Sequence, residues 1–181
     1  MRSKKTYKIG ISGHRDLLPE KEEEYLNTLI NHLQKIQKEH PRQNLCILTP
    51  LAEGADRLMA KAALKLHIAY DVILPMPLEL YREDFSPKSQ EIFNYYLSKA
   101  KHIKTIPFYA GNTAELVSKS SIHRAFQYRQ VGREIVDQSD EMIFMSDGIV
   151  NHKMGGTEDI AAYAQKCGKI FFKIRCERVC A

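Results

Sequence analysis

Three short turns in this sequence combine glycine with polar and charged side chains, and each precedes a segment typical of a helix. Their residues are Ser12, Gly13, His14 and Arg15 in the first turn, Glu53, Gly54 and Asp56 in the second, and Gly155, Gly156 and Thr157 in the third. Glycine lets backbone approach a ligand closely, and the amides at a helix N-terminus favour an anion. We therefore expect the turns to form a pocket for a phosphate-bearing small molecule.

The third turn gives the strongest indication of a phosphate site. Two glycines and Thr157 precede an alanine-rich helix, and they offer successive amides and a hydroxyl to an anion. A plain N-cap formed by Thr157 is the alternative. If the turn binds a phosphate, Glu158 or Asp159 would lie near the sugar of a bound nucleotide. A carboxylate there can stabilise the oxocarbenium-like transition state of N-glycosidic cleavage.

The other two turns contain charged candidates, each with an alternative role. His14 and Arg15 are expected to meet a phosphate or a base, since an arginine fork suits phosphate geometry. An ion pair between Arg15 and a neighbouring carboxylate such as Asp16 is the alternative. Glu53 and Asp56 are candidate contacts to a ribose hydroxyl, or Asp56 caps the following helix.

Two further groups of residues are candidates because of the elements that carry them. Asp147 and Gly148 follow the fifth predicted strand, so we expect them at the same sheet edge as the turns. Arg124, Arg129 and Arg133 belong to one predicted helix, and the last two are neighbours on its surface. These arginines either form a solvated face or direct positive charge toward the pocket or a nucleic-acid strand.

Strand and helix patterns alternate along the chain and position these residues. The predicted strands are residues 7–11, 45–48, 72–74, 102–107, 142–145 and 170–174, and the predicted helices begin near Pro19, Ala55, Ser86, Ser121 and Thr157. Residues 108–120 are predicted to be a surface loop. The alternation predicts an α/β fold, a Rossmann-like doubly wound, mostly parallel sheet of about six strands with helices on both faces. Ligands bind such sheets outside the carboxyl ends of the strands.

Length and composition indicate a single domain over residues 1–181. The chain is 44% hydrophobic and 27% charged, which is typical of a globular protein and not of a disordered or membrane protein. No apolar run reaches the roughly 18 residues of a membrane span, and no signal sequence is evident. We therefore expect a cytoplasmic protein. The net charge of +5 permits an anionic small molecule and leaves nucleic acid as a second choice of partner.

Several common sites have no counterpart in the sequence. The first turn lacks the GxGxxG spacing of dinucleotide-binding proteins, and no glycine-lysine-Ser/Thr triplet of a P-loop occurs. The four cysteines, Cys180 among them, form no CxxC pair, so we expect structural thiols and no metal site. No cofactor is expected.

The three turns together resemble those of the SLOG superfamily, which includes the Lonely Guy phosphoribohydrolases and the Rossmann-like domain of DNA-processing protein A. The resemblance covers about residues 7–174. It implies a Rossmann-like fold that binds nucleotides or nucleotide-derived ligands, and a homodimer. Residues 51–56 partly match the SGxAxGID-type turn of the DNA-processing relatives, which bind single-stranded DNA.

Lonely Guy enzymes release the base of a nucleoside 5′-monophosphate with a PGGxGTxxE motif and an arginine on an earlier helix. Gly156-Thr157 matches the GT step of that motif, but Ile160 occupies the position of the catalytic glutamate. Arg129 or Arg133 would correspond to the helix arginine. Ligand binding is therefore the leading hypothesis. Nucleoside-monophosphate hydrolysis by Glu158 or Asp159 is the first alternative, and single-stranded DNA binding is the second.

Overall fold

The computed structural model describes residues 5–150 and 153–179, so Cys180 lies outside the described part. Its strands are β1 (Thr6–Gly13), β2 (Asn44–Thr49), β3 (Ala69–Leu74), β4 (His102–Thr105), β5 (Glu141–Ser146) and β6 (Ile170–Arg175). Its helices are α1 (Glu22–Glu39), α2 (Ala55–Lys65), α3 (Leu78–Arg82), α4 (Pro87–Leu97), α5 (Ala114–Lys119), α6 (Ser121–Gln138) and α7 (Thr157–Lys166).

The strands form one parallel sheet in the order β4-β3-β2-β1-β5-β6. Helices α1, α2 and α4 pack on one face, and α6 and α7 pack on the other. Successive strand residues point to opposite faces. Ile143 of β5 therefore joins the cluster under α1 and α2, whereas Phe144 joins the cluster under α6 and α7. The predicted doubly wound α/β fold is confirmed.

The amphipathic pattern of α1 shows how the sequence specifies these layers. Leu26, Leu29, Leu33 and Ile36 recur at helical spacing, and each is at most 1% exposed. A short 3-10 turn at Pro19–Lys21 precedes α1, whose first turn carries glutamates that complement the helix dipole.

The predicted loop over residues 108–120 is partly wrong, because Ala114–Lys119 forms α5. The Thr113 side chain caps this helix by accepting a hydrogen bond of 3.2 Å from the Leu116 amide. A six-residue helix is too short to show a clear periodicity. The fourth strand is also shorter than predicted and ends at Thr105.

None of the helices in residues 5–150 and 153–179 combines the length and the apolarity that crossing a lipid bilayer requires.

Candidate ligand-binding cavity

A cavity of about 510 Å³ opens at the carboxyl edge of the sheet. It lies beside β1. On one side of β1 the strands β2, β3 and β4 follow in chain order, and on the other side β5 and β6 follow. Such a switch point leaves a crevice between the loops that leave neighbouring strands. Its walls are residues 11–16, part of the turn after β2, Pro75, one face of α6, residues 153–158 and Arg178. Residues of all three glycine turns therefore line one cavity.

The first two turns are in direct backbone contact. The Ala55 amide donates a hydrogen bond of 3.1 Å to the His14 carbonyl oxygen. Gly54 has a φ of +71°, and a Cβ atom built on it would lie 2.4 Å from that same oxygen. Only glycine fits this conformation and this close approach. Gly54 itself is outside the cavity lining and acts by joining the two turns.

Arg15 has the most exposed side chain among the arginines that line the cavity. Its side chain is 39% exposed, and its Nη1 atom lies 3.9 Å from Asp84 Oδ2. The guanidinium lies 5.1 Å from the ring centre of Tyr128. Burial lowers the pKa of Arg15, but Tyr81, Tyr128 and Asp84 outweigh burial and raise the pKa above its usual value. Arg15 therefore keeps its charge in the cavity wall.

Asp84 lines the cavity, and the sequence analysis did not single it out. Arg124 Nε donates a hydrogen bond of 3.0 Å to Asp84 Oδ1, and the Tyr128 hydroxyl donates to Asp84 Oδ2. Arg124 also donates to the carbonyls of Val117 and Leu80. Arg124 is thus the main partner of the Asp84 carboxylate. Arg15 makes only a longer ion pair with Asp84.

The expected alternative for Arg15 was an ion pair with a neighbouring carboxylate such as Asp16, and Arg15 does lie 3.9 Å from a carboxylate, but that carboxylate is Asp84 and not Asp16. Asp16 pairs instead with Arg178, whose Nη2 lies 2.9 Å from Asp16 Oδ2. This pair exists because residues 176–179 return to the first turn, where Leu17 and Arg178 form an antiparallel bridge. The hydrogen bonds from Arg178 hold the pKa of Asp16 below its usual value.

His14 lines the cavity, and its imidazole contacts the carboxylate of Asp147, which lies outside the lining. His14 Nε2 lies 3.0 Å from Asp147 Oδ1, and Arg178 Nη1 lies 3.6 Å from Asp147 Oδ2. Burial raises the pKa of Asp147, but the Ile149 amide, His14 and Arg178 outweigh it and lower the pKa. Asp147 lies outside the lining, as does Gly148, whose amide donates to Ser146 Oγ.

The third turn uses two of its amides internally. The Gly155 amide donates to Asp159 Oδ2 at 2.9 Å, and the Gly156 amide donates to the Lys153 carbonyl at 2.9 Å. The first helical bond runs from Ile160 to Gly156 at 3.1 Å. The amides of the three residues before Ile160 therefore have no acceptor within the helix. The amides that remain available in the third turn are thus those at the start of α7, one step beyond the two glycines.

Thr157 does not cap α7, so that alternative is wrong. Gly156 is the N-cap residue, and Thr157 is the first residue of the helix, with 7% of its surface exposed. Thr157 and both glycines line the cavity.

The two acidic candidates of α7 have different environments. Glu158 lines the cavity and accepts a hydrogen bond from Ser146 Oγ. Asp159 is outside the lining, where it accepts the bond from Gly155, and its Oδ2 lies 3.1 Å from Arg129 Nε. The Arg129 contact is an ion pair without hydrogen-bond geometry. Ile160, at the position of the family's glutamate, is 2% exposed.

Of the three candidate arginines on α6, one lies in the cavity wall and two lie outside it. Arg124 lines the cavity, whereas Arg129 and Arg133 do not. The Arg133 guanidinium lies 4.8 Å from the ring centre of Tyr163 on α7. Arg124 therefore supplies the positive charge that α6 contributes to the cavity.

In the second turn, Asp56 lines the cavity and Glu53 does not. Glu53 Oε1 accepts a hydrogen bond from Ser89 Oγ on α4. Asp56 is 4% exposed, and its Oδ2 accepts a bond of 3.1 Å from the Ala52 amide. Burial raises the pKa of Asp56 to about 7, although the Ala52 bond and nearby arginines oppose this. Gly54 is the N-cap of α2, so the proposed capping role of Asp56 is wrong.

Within residues 5–150 and 153–179, no group of three or more His, Cys, Asp or Glu side chains is arranged to hold a metal ion.

No protein-family model and no curated protein matches the chain. Among solved structures, it is similar to DNA processing protein A from Streptococcus pneumoniae, with a TM-score of 0.60 and 17% identity over 93% of this chain. The chain spans 50% of the length of that protein. It is also similar to DNA processing protein A from Helicobacter pylori, described for its single-stranded DNA binding mode, with a TM-score of 0.55 and 19% identity.

The second match covers 96% of this chain and 67% of the Helicobacter pylori protein. At these identities the similarity establishes the fold. The Rossmann-like fold implied by the resemblance to the SLOG superfamily is therefore confirmed.

Proposed function

We propose that the carboxyl-edge cavity binds a nucleotide or a nucleotide-derived small molecule through its phosphate. The observation that carries this proposal is that Arg15 and the start of α7 line the same cavity. A guanidinium offers paired donors to phosphate oxygens, and the exposed amides of a helix N-terminus favour negative charge. Thr157 adds a hydroxyl at that helix start. Together they form a phosphate seat with donors from two elements.

The remainder of the cavity suits the nucleoside part of such a ligand. Its volume of about 510 Å³ falls within the range of small-molecule pockets. Apolar lining residues include Pro50, Pro75, Val131 and Ile135, which can cover the face of a base. His14 and Asp56 add polar groups that can orient a base or a ribose.

Isothermal titration calorimetry with nucleoside 5′-monophosphates tests the proposal. We expect at least one of AMP, GMP, CMP and UMP to bind, and the matching nucleoside without phosphate to bind at least about tenfold more weakly. Arg15→Gln should weaken binding of the monophosphate by at least about tenfold. Arg42→Gln is the control, because Arg42 is exposed and lies outside the lining. Equal affinity of nucleoside and nucleotide contradicts the phosphate seat.

Hydrolysis of a nucleoside monophosphate is a second candidate function, favoured by the carboxylate of Glu158 in the lining. Chromatography of the same mixtures would detect released base. If base is released, Glu158→Gln should abolish release, whereas Asp159→Asn should retain it because Asp159 is outside the lining. Binding of a monophosphate without base release excludes this enzymatic function and leaves the binding proposal standing.

Single-stranded DNA binding is the third candidate, and the Helicobacter pylori neighbour favours it. Fluorescence anisotropy with a labelled oligonucleotide measures it, and a steep loss of affinity with salt would mark contacts to the DNA backbone. If the oligonucleotide binds and no monophosphate does, the DNA function replaces the proposed one. The cytoplasmic location and the homodimer stay predictions, which cell fractionation and light scattering test.

A further inference from the structure

A second cavity, of about 560 Å³, lies at the opposite, amino edge of the sheet. The first residues of β1, β2, β3 and β4 form it together with the C-terminal end of α1 and the segment that follows α2. None of the turns described above contributes to it. It therefore lies outside the proposed nucleotide site.

The cavity exists because part of one sheet face is left uncovered. Leu48 and Ile73 belong to the buried cluster under α6. Two residues earlier on the same strands, and hence on the same face, stand Cys46 and Asp71, which line the cavity. No residue of α6 lines it. Cys46 is 6% exposed and still belongs to that cluster, whereas Asp71 is half-buried, so the cavity begins where the cover provided by α6 ends.

Positive charge predominates in the lining. Lys8 and Lys101 both line the cavity, and in the described part of the chain neither ammonium has an ion pair or a hydrogen bond. Among the described residues of the lining, Asp71 is the one carboxylate, and its Oδ1 lies 2.8 Å from His102 Nδ1. Within the same part of the chain, the two lysines therefore face the cavity without an ion-pair partner.

Two more imidazoles, His40 and His67, extend the same lining. The Cys46 thiol adds no negative charge, since burial and the neighbouring Asp71 raise its pKa to about 11. Lys101 and Lys8 oppose this shift and act to lower the pKa of the thiol. Lysines outnumber carboxylates in the described part of the lining, so positive charge predominates there.

The side-chain oxygen of Gln43, a residue of the same lining, is a second observation that concerns this cavity. Its Oε1 atom is buried, and no donor for it exists within residues 5–150 and 153–179. Buried polar atoms in folded proteins almost always have a partner. Because this Oε1 atom is closed to solvent, the Gln43 side chain would turn toward the cavity to accept a bond from the O–H group of a ligand, whose other oxygens would accept bonds from the lysines.

We propose that the amino-edge cavity binds a small multivalent oxyanion of the phosphate class. A protonated phosphate or pyrophosphate carries both acceptor oxygens for Lys8 and Lys101 and a hydroxyl for Gln43. The site lies at the other edge of the sheet from the proposed nucleotide cavity, so the two can be occupied independently.

Titration calorimetry with inorganic pyrophosphate tests the site in the Arg15→Gln background, which weakens the phosphate seat at the carboxyl edge. We expect a one-to-one complex. The double substitution Lys8→Gln and Lys101→Gln should weaken it by at least about tenfold. Lys99→Gln is the control, since Lys99 is exposed, two residues from Lys101 and outside the lining. Thermal melts check that each variant is folded.

Amide chemical-shift mapping locates the bound pyrophosphate. Shifts concentrated at His40, Gln43, Cys46 and His102 support the site. Shifts confined to residues 12–15 and 157–159 overturn it, because they would place the anion at the carboxyl edge. Absence of binding at millimolar pyrophosphate also overturns it, as does equal affinity in the double variant and in Lys99→Gln. None of these outcomes contradicts the nucleotide proposal, whose own test uses Arg15 and Arg42.

Discussion

The hydrogen bond from the Ala55 amide to the His14 carbonyl, 3.1 Å long, ties the turn after β1 to the start of α2. Each turn contains a glycine that lies close to its neighbours. Joined, they place His14 and Asp56 in one wall of the carboxyl-edge cavity.

Replacing Gly54 by alanine should break this junction. A Cβ atom would lie 2.4 Å from the His14 oxygen and 2.5 Å from the Arg15 oxygen, and both are backbone atoms that cannot rotate away. We expect a loss of at least about 2 kcal/mol in the free energy of unfolding, measured with urea. Gly111→Ala is the matched control: its φ is +85°, but nothing lies within 4 Å. Gly111→Ala should lower the free energy of unfolding by only about 1 kcal/mol, which is the cost of the left-handed backbone conformation without a steric clash. Equal losses in both variants would refute the steric explanation.

Asp56 should make the protein less stable as the pH rises from about 4 to about 7. The unfolded chain releases this proton near the ordinary pKa of 3.8, whereas burial holds the folded pKa at about 7. Between these values the folded state binds more protons, so the contribution of Asp56 to stability falls with pH and is constant above about 7.

Asp56→Asn removes this dependence while keeping an acceptor for the Ala52 amide. The free energies of unfolding of the two proteins should diverge by up to about 1.4 kcal/mol per pH unit in this interval. Urea titrations at several pH values measure the difference. Parallel pH profiles would show that Asp56 titrates normally in the folded protein.

Gln127 should be a large contributor to stability among the side chains of α6. It is 0% exposed. Its Nε2 donates to the Pro75 carbonyl at 2.6 Å, and its Oε1 accepts from the Tyr109 amide at 2.6 Å. Gln127→Leu leaves these buried groups unpaired and should cost about 2–4 kcal/mol. Gln130→Leu, which removes one exposed bond to Pro107, should cost less than about 1 kcal/mol. A similar cost for both variants contradicts this role of Gln127.

The thiols should differ in reactivity toward iodoacetamide at about pH 8. Cys46 and Cys176 are buried, and burial raises the pKa of each to about 11. Cys167 is exposed. Because the thiolate is the reactive form, we expect Cys167 to be alkylated at least about tenfold faster than the other two. Peptide mass spectrometry follows each site, and denatured protein supplies the reference rate. Comparable rates in the folded protein would show that the two buried thiols open readily.

The sequence was sufficient to predict the sheet and the edge at which the turns meet. Buried runs such as residues 45–48 and 142–145 alternate with amphipathic helices, and a parallel sheet places the carboxyl ends of its strands together. The Asp84–Arg124 pair was not predictable, because 40 residues separate its members and their contact depends on how α3 packs near α6.

The role of Asp159 had a local signal that was available. A carboxylate three residues after an N-cap commonly reaches back to a preceding amide, as in a capping box. Asp159 stands in that position relative to Gly156 and bonds to the amide of Gly155. Of the two alternatives, Glu158 or Asp159, only Glu158 lines the cavity, so the hydrolase hypothesis now depends on Glu158.

The bridge between Leu17 and Arg178 has a consequence for synthesis in the cell. One wall of the carboxyl-edge cavity is made early, with β1, and another only when Arg178 has left the ribosome. A chain that ends before residue 178 therefore lacks one wall of this cavity. A molecule that binds through that wall would stabilise only chains that include it.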